Sequence, residues 1–152
     1  MPRDVDVRVM NILSALEISP EAAKAIEAMG NDAVTLVCEV ALRSISGLRP
    51  KVYANAVFLA GRMTHPQAVE TIRLLVNDPD PDIAIRAMRA AARQKDVKVV
   101  SDLGRYLTRT GVSPLLATEA ANALAAIDSA EARRYLDAYQ ASRARSRPRS
   151  KH

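Results

Sequence analysis

Residues 78–92 read DPDPDIAIRAMRAAA, an acid-rich turn with two prolines that leads directly into an apolar, alanine-rich segment. Pro81 stands where a helix would begin, with Asp80 as its cap and Asp82 in its first turn. A proline that leads a helical run returns along the chain at intervals of 30, 31 and 33 residues. These prolines are Pro20, Pro50, Pro81 and Pro114, and the small residues that follow ten or eleven positions later are Gly30, Gly61, Ala92 and Ala125. A fixed period in this range predicts a stacked helical repeat.

Apolar residues at helical spacing predict two helices in each repeat, a proline-led helix A and a following helix B. The A helices are expected at 20–29, 50–63, 81–94 and 113–127, and the B helices at 31–46, 66–76, 96–109 and 129–142. An amphipathic helix at 4–17 precedes the first pair as an N-terminal cap. Because neither helix of a pair can bury its apolar face alone, the pairs must stack. We therefore predict an all-α, right-handed α-solenoid of about four helical hairpins with an N-terminal capping helix.

The third A helix carries a family resemblance. Its double Asp-Pro turn, apolar–Arg pair and run of alanines resemble the short HEAT-like repeats of the phycobilisome-lyase type. Val52, Ala56 and Gly61 stand at the matching places one period earlier. The resemblance implies a HEAT-like solenoid that binds macromolecules, with the B helices lining its concave face.

Charge divides the chain into a predicted repeat domain, 1–140, and a basic, flexible C-terminal tail, 141–152. Residues 1–140 hold 17 Lys and Arg and 17 Asp and Glu, whereas the remaining five cations have no acid among them. These cations are Arg143, Arg145, Arg147, Arg149 and Lys151. The tail is either a polyanion-binding arm that attracts nucleic acid without regard to sequence, or a passive solubilising end.

Four arginines recur on the B helices. Arg43, Arg73 and Arg105 follow their repeat's proline by 23, 23 and 24 residues, and Arg134 lies about one helical turn earlier in the fourth repeat. Such a ladder could bind an acidic protein or a phosphate backbone. Each arginine also follows an acid on its own helix, so solvated ion pairs are the alternative. Those pairs would be Glu39–Arg43, Glu70–Arg73, Asp102–Arg105 and Glu131–Arg134.

No arrangement of residues indicates catalysis, a metal or a cofactor. The single cysteine, Cys38, excludes an intrachain disulfide and lies in an apolar run that predicts a buried thiol. His65 precedes a helix in a turn. The acids of residues 78–82 have the spacing of a calcium loop, but Ile83 and Arg89 stand where such a loop requires glycine and glutamate. There is no apolar run of about 18 residues, and the expected location is cytoplasmic.

Three function hypotheses follow. The first is a non-enzymatic protein-interaction scaffold that binds a partner on the concave B-helix face. The second is a nucleic-acid-associated protein that uses the basic tail and the arginine ladder. The third is a HEAT-like enzyme or lyase subunit, because bilin lyases and alkylpurine DNA glycosylases resemble this architecture. The aromatic platform of those glycosylases has no counterpart here, since Trp is absent and Phe58 is a core candidate.

Overall fold

The computed structural model describes residues 3–15 and 17–146, with the backbone alone for Ser146. This part of the chain is helical and contains no strand. The helices are α1 (Asp4–Leu13), α2 (Glu21–Ala28), α3 (Asn31–Ala41), α4 (Pro50–Ala60), α5 (Pro66–Leu75), α6 (Pro81–Gln94), α7 (Val100–Thr108), α8 (Pro114–Ile127) and α9 (Ala130–Ser146), with a 3₁₀ turn at Val97–Val99 before α7. The all-α class predicted from the sequence is therefore confirmed.

The chain forms two compact units, Met1–Ala91 and Ala92–His152. We call them unit 1 and unit 2. In unit 1 the B helix α3 packs against both α4 and α5, and α1 covers α3 and α4. In unit 2 the B helix α7 packs in the same way against α8 and α9. This repeated contact, from a B helix to both helices of the next hairpin, is the packing that a helical-hairpin solenoid requires.

The predicted helix starts are confirmed at three of the four repeat prolines. Pro50, Pro81 and Pro114 each occupy the first residue of a helix, whereas Pro20 immediately precedes α2. Asp80 caps α6, since its Oδ1 accepts the amide of Asp82 at 3.0 Å. Ser113 caps α8 through the amide of Leu116 at 3.2 Å. These caps satisfy amides that the first helical turn leaves without partners.

Helices α1 and α3 end four and five residues earlier than predicted, and tertiary contacts explain both ends. Helix α1 stops at Leu13 because the buried amide of Asn55 donates to the carbonyls of Leu13 and Ala15, at 2.8 and 3.2 Å. Helix α3 stops at Ala41, and Arg43 then adopts a left-handed conformation at φ 59°. Tyr53 secures the loop that follows, since its hydroxyl donates to the Ile45 carbonyl at 2.7 Å.

Each unit has its own aliphatic core. The largest fully buried side chains of unit 1 include Leu13, Ile26, Leu59, Met63, Ile72 and Met88, and those of unit 2 are Leu103 and Leu124. Burying one such side chain stabilises the fold by roughly 1.5–3 kcal/mol. No helix in the described part of the chain is long and apolar enough to cross a membrane.

Close helix contacts explain two glycines. A Cβ placed on Gly61 would lie 2.5 Å from the Cβ of Ala90, so α4 can approach α6 only without a side chain there. Gly61 already stands out in the sequence through its place in the repeat period. In unit 2, a Cβ on Gly104 would collide with the ring of Tyr135, which packs onto α7 from α9. No sequence period marked Gly104.

Candidate interaction surface

Side-chain hydrogen bonds join the two B helices of unit 1. His65 caps α5, where its Nδ1 accepts the amide of Gln67 at 3.1 Å. Its Nε2 lies 3.0 Å from Oδ1 of Asn31, at the start of α3. Because Nδ1 is an acceptor, the ring proton is assigned to Nε2, which donates it to this oxygen. One turn further along, the Thr35 hydroxyl donates to Oε1 of Gln67 at 2.8 Å. The bonded residues come in the same order on both helices, so α3 and α5 run parallel.

Two exposed leucines lie at matching positions beyond this bonded pair. Leu42 follows Thr35 by seven residues, and Leu74 follows Gln67 by seven residues. Seven residues is two helical turns, so each leucine returns to the side of its helix that carries the bonded residue. Their exposed fractions are 39% and 60%. The sequence pattern does not distinguish these two leucines, because apolar residues at helical spacing predict a core.

The sequence predicts Arg43 on the B-helix face, but the structure places it elsewhere. It lies beyond the end of α3, and one terminal nitrogen, Nη2, donates to both carboxylate oxygens of Asp78, at 2.5 and 2.6 Å. Its other terminal nitrogen lies 3.6 Å from Asp80. The predicted Glu39–Arg43 pair is therefore wrong, because the guanidinium turns to the acidic turn of the next hairpin instead. Asp78 in turn accepts the amide of Asp80 at 2.8 Å, so Arg43 braces the turn that starts α6.

Two further arginines of the predicted ladder bind acids on their own helices. Arg73 on α5 pairs with Glu70 at 3.0 Å, and Arg105 on α7 pairs with Asp102, as the alternative interpretation predicted. In the described part of the chain, no ion pair joins Arg134 to Glu131, although both line a small cleft on α9. Arg43 and Arg73 belong to unit 1, whereas Arg105 and Arg134 belong to unit 2.

The predicted tail lies only partly within the described residues. Helix α9 continues to Ser146, beyond the predicted helix end at 142, and it carries Arg143 and Arg145. Arg143 stacks over the ring of Tyr139, with its guanidinium carbon 5.5 Å from the ring centre. The other predicted tail cations, Arg147, Arg149 and Lys151, lie outside the described residues.

The single cysteine and the possible metal ligands complete the set of candidate residues. Cys38 is buried, as predicted, and burial raises the pKa of its thiol despite a hydrogen bond from Thr71 that lowers it. Among the described residues, no group of three or more His, Cys, Asp or Glu side chains could hold a metal ion.

One comparison with known proteins gives a family match. Residues 41–115 match the family model described as HEAT repeats. The matched segment begins at the last residue of α3 and ends in the first turn of α8. No curated protein and no solved structure gave a significant match. The HEAT-like character of this segment is thereby supported, whereas the narrower phycobilisome-lyase resemblance is not confirmed.

Proposed function

We propose that this chain is a non-enzymatic interaction module that binds a protein partner through its B helices, with Leu42 and Leu74 at the centre of the contact in unit 1. The observation that carries this proposal is the placement of two exposed leucines in register on parallel, hydrogen-bonded helices. The similarity of residues 41–115 to HEAT repeats supports it, because HEAT repeats are commonly protein-interaction scaffolds.

The leucines supply the apolar centre of the proposed contact. Fully burying one leucine contributes roughly 1.5–3 kcal/mol, and the axes of neighbouring packed helices lie about 8–10 Å apart. One apolar segment of a partner could cover both. Charges weigh against the predicted acidic partner at this point, because Arg43 is neutralised by Asp78, and Arg73 by Glu70.

The arginines of the predicted ladder have a secondary role in the proposal. Arg73 is assigned to the polar rim of the contact in unit 1, where charges affect the association rate more than the affinity. Arg105 and Arg134 remain candidates for partner binding on the B helices of unit 2. Arg43 is excluded from the binding set, because changing it would disturb the turn that it braces. A test that reversed Arg43 together with the others would confuse lost binding with lost stability.

The proposal is tested by partner capture with a matched control. Changing Leu42 and Leu74 to Asp should abolish capture of a partner identified with the wild-type protein. The control is Leu115→Asp on the A helix α8, since Leu115 has the same exposed fraction as Leu74, 60%. The control variant should capture the partner as wild type does. Undiminished capture by the Leu42→Asp, Leu74→Asp double variant, with its helical circular dichroism unchanged, would overturn the proposal.

A second candidate function is association with nucleic acid through the C-terminal cations. The supporting observation is the group of five cations between positions 143 and 151, with no acid among them. Counterion release from phosphates favours the binding of such an arm without base recognition. This candidate predicts a salt-dependent affinity that is the same for unrelated sequences.

A further inference from the structure

A cleft in unit 2 brings two arginines and two tyrosines together. It has a volume of about 370 Å³ and lies between the end of α7, the loop that follows, and α8 and α9. Tyr106 and Arg109 line it from α7 and its C-terminal end, and Tyr139 and Arg143 line it from α9. A cleft of this size is large enough for a small ligand, since small-molecule sites usually measure about 300–1,000 Å³.

The cleft is positively charged. Among the described residues that line it there is no carboxylate. The guanidinium carbon of Arg109 lies 5.1 Å from the centre of the Tyr106 ring, and that of Arg143 lies 5.5 Å from the centre of the Tyr139 ring. Cation–π stacking restricts the arginine side chains. It leaves the N–H groups, which lie in the plane of the guanidinium, able to donate to a ligand. Within the described chain neither arginine forms an ion pair.

The rest of the lining defines the ligand further. The first two turns of α8 contribute Pro114, Ala117 and Thr118, and the positive end of a helix dipole favours an anion there. Leu107 and Val112 form an apolar portion of the wall. A ligand that fits this lining has a charged end for the arginines and an apolar end for the wall.

We propose that this cleft binds a phosphate monoester carrying an apolar or aromatic group, with Arg109 and Arg143 holding the phosphate. A phosphate monoester carries about −1.5 to −2 charges at pH 7, which matches two guanidinium groups. Planar guanidinium forks also bind phosphate oxygens in pairs. The cleft shares no residue with the proposed contact around Leu42 and Leu74 in unit 1. A failure of one proposal therefore leaves the other unaffected.

The test is a calorimetric titration of the full chain with phenyl phosphate, and with phenol and inorganic phosphate as partial ligands. Phenyl phosphate should bind with a dissociation constant on the order of 1 mM. Phenol should not bind measurably, and inorganic phosphate should bind more weakly. Adenosine monophosphate forms a second arm that distinguishes a nucleotide from a phosphorylated phenol such as a modified tyrosine. Binding of either ester supports the site and identifies the source of the phosphate.

Two variants and two controls assign the binding to the cleft. Arg109→Gln and Arg143→Gln should each weaken phenyl phosphate binding about tenfold or more, because each removes a charge-assisted contact. Arg62→Gln is the matched control in unit 1, where Arg62 stacks over Phe58 at 5.2 Å. Arg145→Gln is the control on α9, two residues beyond Arg143 and outside the cleft lining. Both controls should bind as wild type does. Absence of phenyl phosphate and nucleotide binding, or equal loss in the controls, would overturn the proposal.

Discussion

At the scale of single residues, Arg43 shows how a side chain can support a neighbouring repeat rather than a ligand. Its guanidinium makes two hydrogen bonds to a carboxylate whose side chain is only 10% exposed. Without Arg43, the Asp78 carboxylate would lose its cationic partner in a poorly solvated position, which is costly. The turn that starts α6 therefore depends on a residue that lies 35 positions earlier.

We expect Arg43→Gln to lower the free energy of unfolding by about 1–2 kcal/mol, a value reduced from that of a fully buried pair because Arg43 is partly exposed. Arg43→Lys should recover only part of the loss, since a single ammonium nitrogen cannot take the places of both Nη2 at Asp78 and Nη1 at Asp80. The measurement is urea denaturation followed by circular dichroism. Arg105→Gln is the control and should change stability by less than about 0.5 kcal/mol, because its side chain is exposed. Equal effects at Arg43 and Arg105 would contradict the bracing role.

Cys38 offers a second test at this scale. Burial raises its thiol pKa, so the reactive thiolate is rarer than in an unfolded chain at the same pH. We expect a water-soluble disulfide reagent to label the folded protein far more slowly than the urea-unfolded protein. Because the folded pKa is raised, the stability that the protonated thiol contributes should be lost as pH rises above the unfolded value. Rapid labelling of the folded protein would contradict the burial of this thiol.

At the scale of helices, the sequence predicts where the helices start better than where they end. The starts depend on local chemistry. A proline preceded by an acidic or hydroxyl cap is visible in the sequence at Pro81 and Pro114. The early ends of α1 and α3 depend on Asn55 and Asp78, which are distant in sequence. No local pattern could have indicated those contacts.

In the candidate site, too, local sequence signals predict part of the arrangement and contacts between distant residues determine the rest. The regular spacing of arginines correctly located Arg73 and Arg105 on B helices, and the acids three residues earlier correctly predicted their ion pairs. Spacing alone could not show that Arg43 would leave its helix. It also could not separate Leu42 and Leu74 from core leucines, because only the packed helices determine which apolar side remains exposed.

The contact between α4 and α6 gives a prediction at the helix scale. Gly61→Ala should destabilise the protein by about 1–3 kcal/mol through overpacking against Ala90. Removing the opposing methyl in a Gly61→Ala, Ala90→Gly double variant should relieve the collision. The double-mutant cycle, measured by urea denaturation, should therefore show a favourable coupling above about 0.5 kcal/mol. Additive losses would show that the two positions do not touch.

At the scale of the whole molecule, the net positive charge comes from the C-terminal end of the sequence. Residues 1–140 are balanced, and the excess of five cations follows them. Two of these cations, Arg143 and Arg145, lie on helix α9, which is described as Ala130–Ser146. A deletion that begins at residue 147 removes the last three cations and keeps every residue of Ala130–Ser146.

A salt titration of duplex DNA binding separates a functional arm from a passive end. If four or five of these cations contact phosphates, the slope of log K against log salt should be about −4 for the full chain. After deletion of residues 147–152 the slope should fall to about −2, and the affinity should be equal for two unrelated DNA sequences. The same slope for both forms would show that the last three cations do not contribute.

The most direct test of the central claim places a photo-reactive amino acid in the proposed contact. p-Benzoylphenylalanine at position 42 or 74, introduced one at a time, should cross-link the full chain to one and the same partner protein in cell extract. The same amino acid at position 115, which is as exposed as position 74 but lies on α8, should not cross-link that partner. This result would place the partner on the B helices α3 and α5. A partner cross-linked from position 115 and from neither 42 nor 74 would contradict the account.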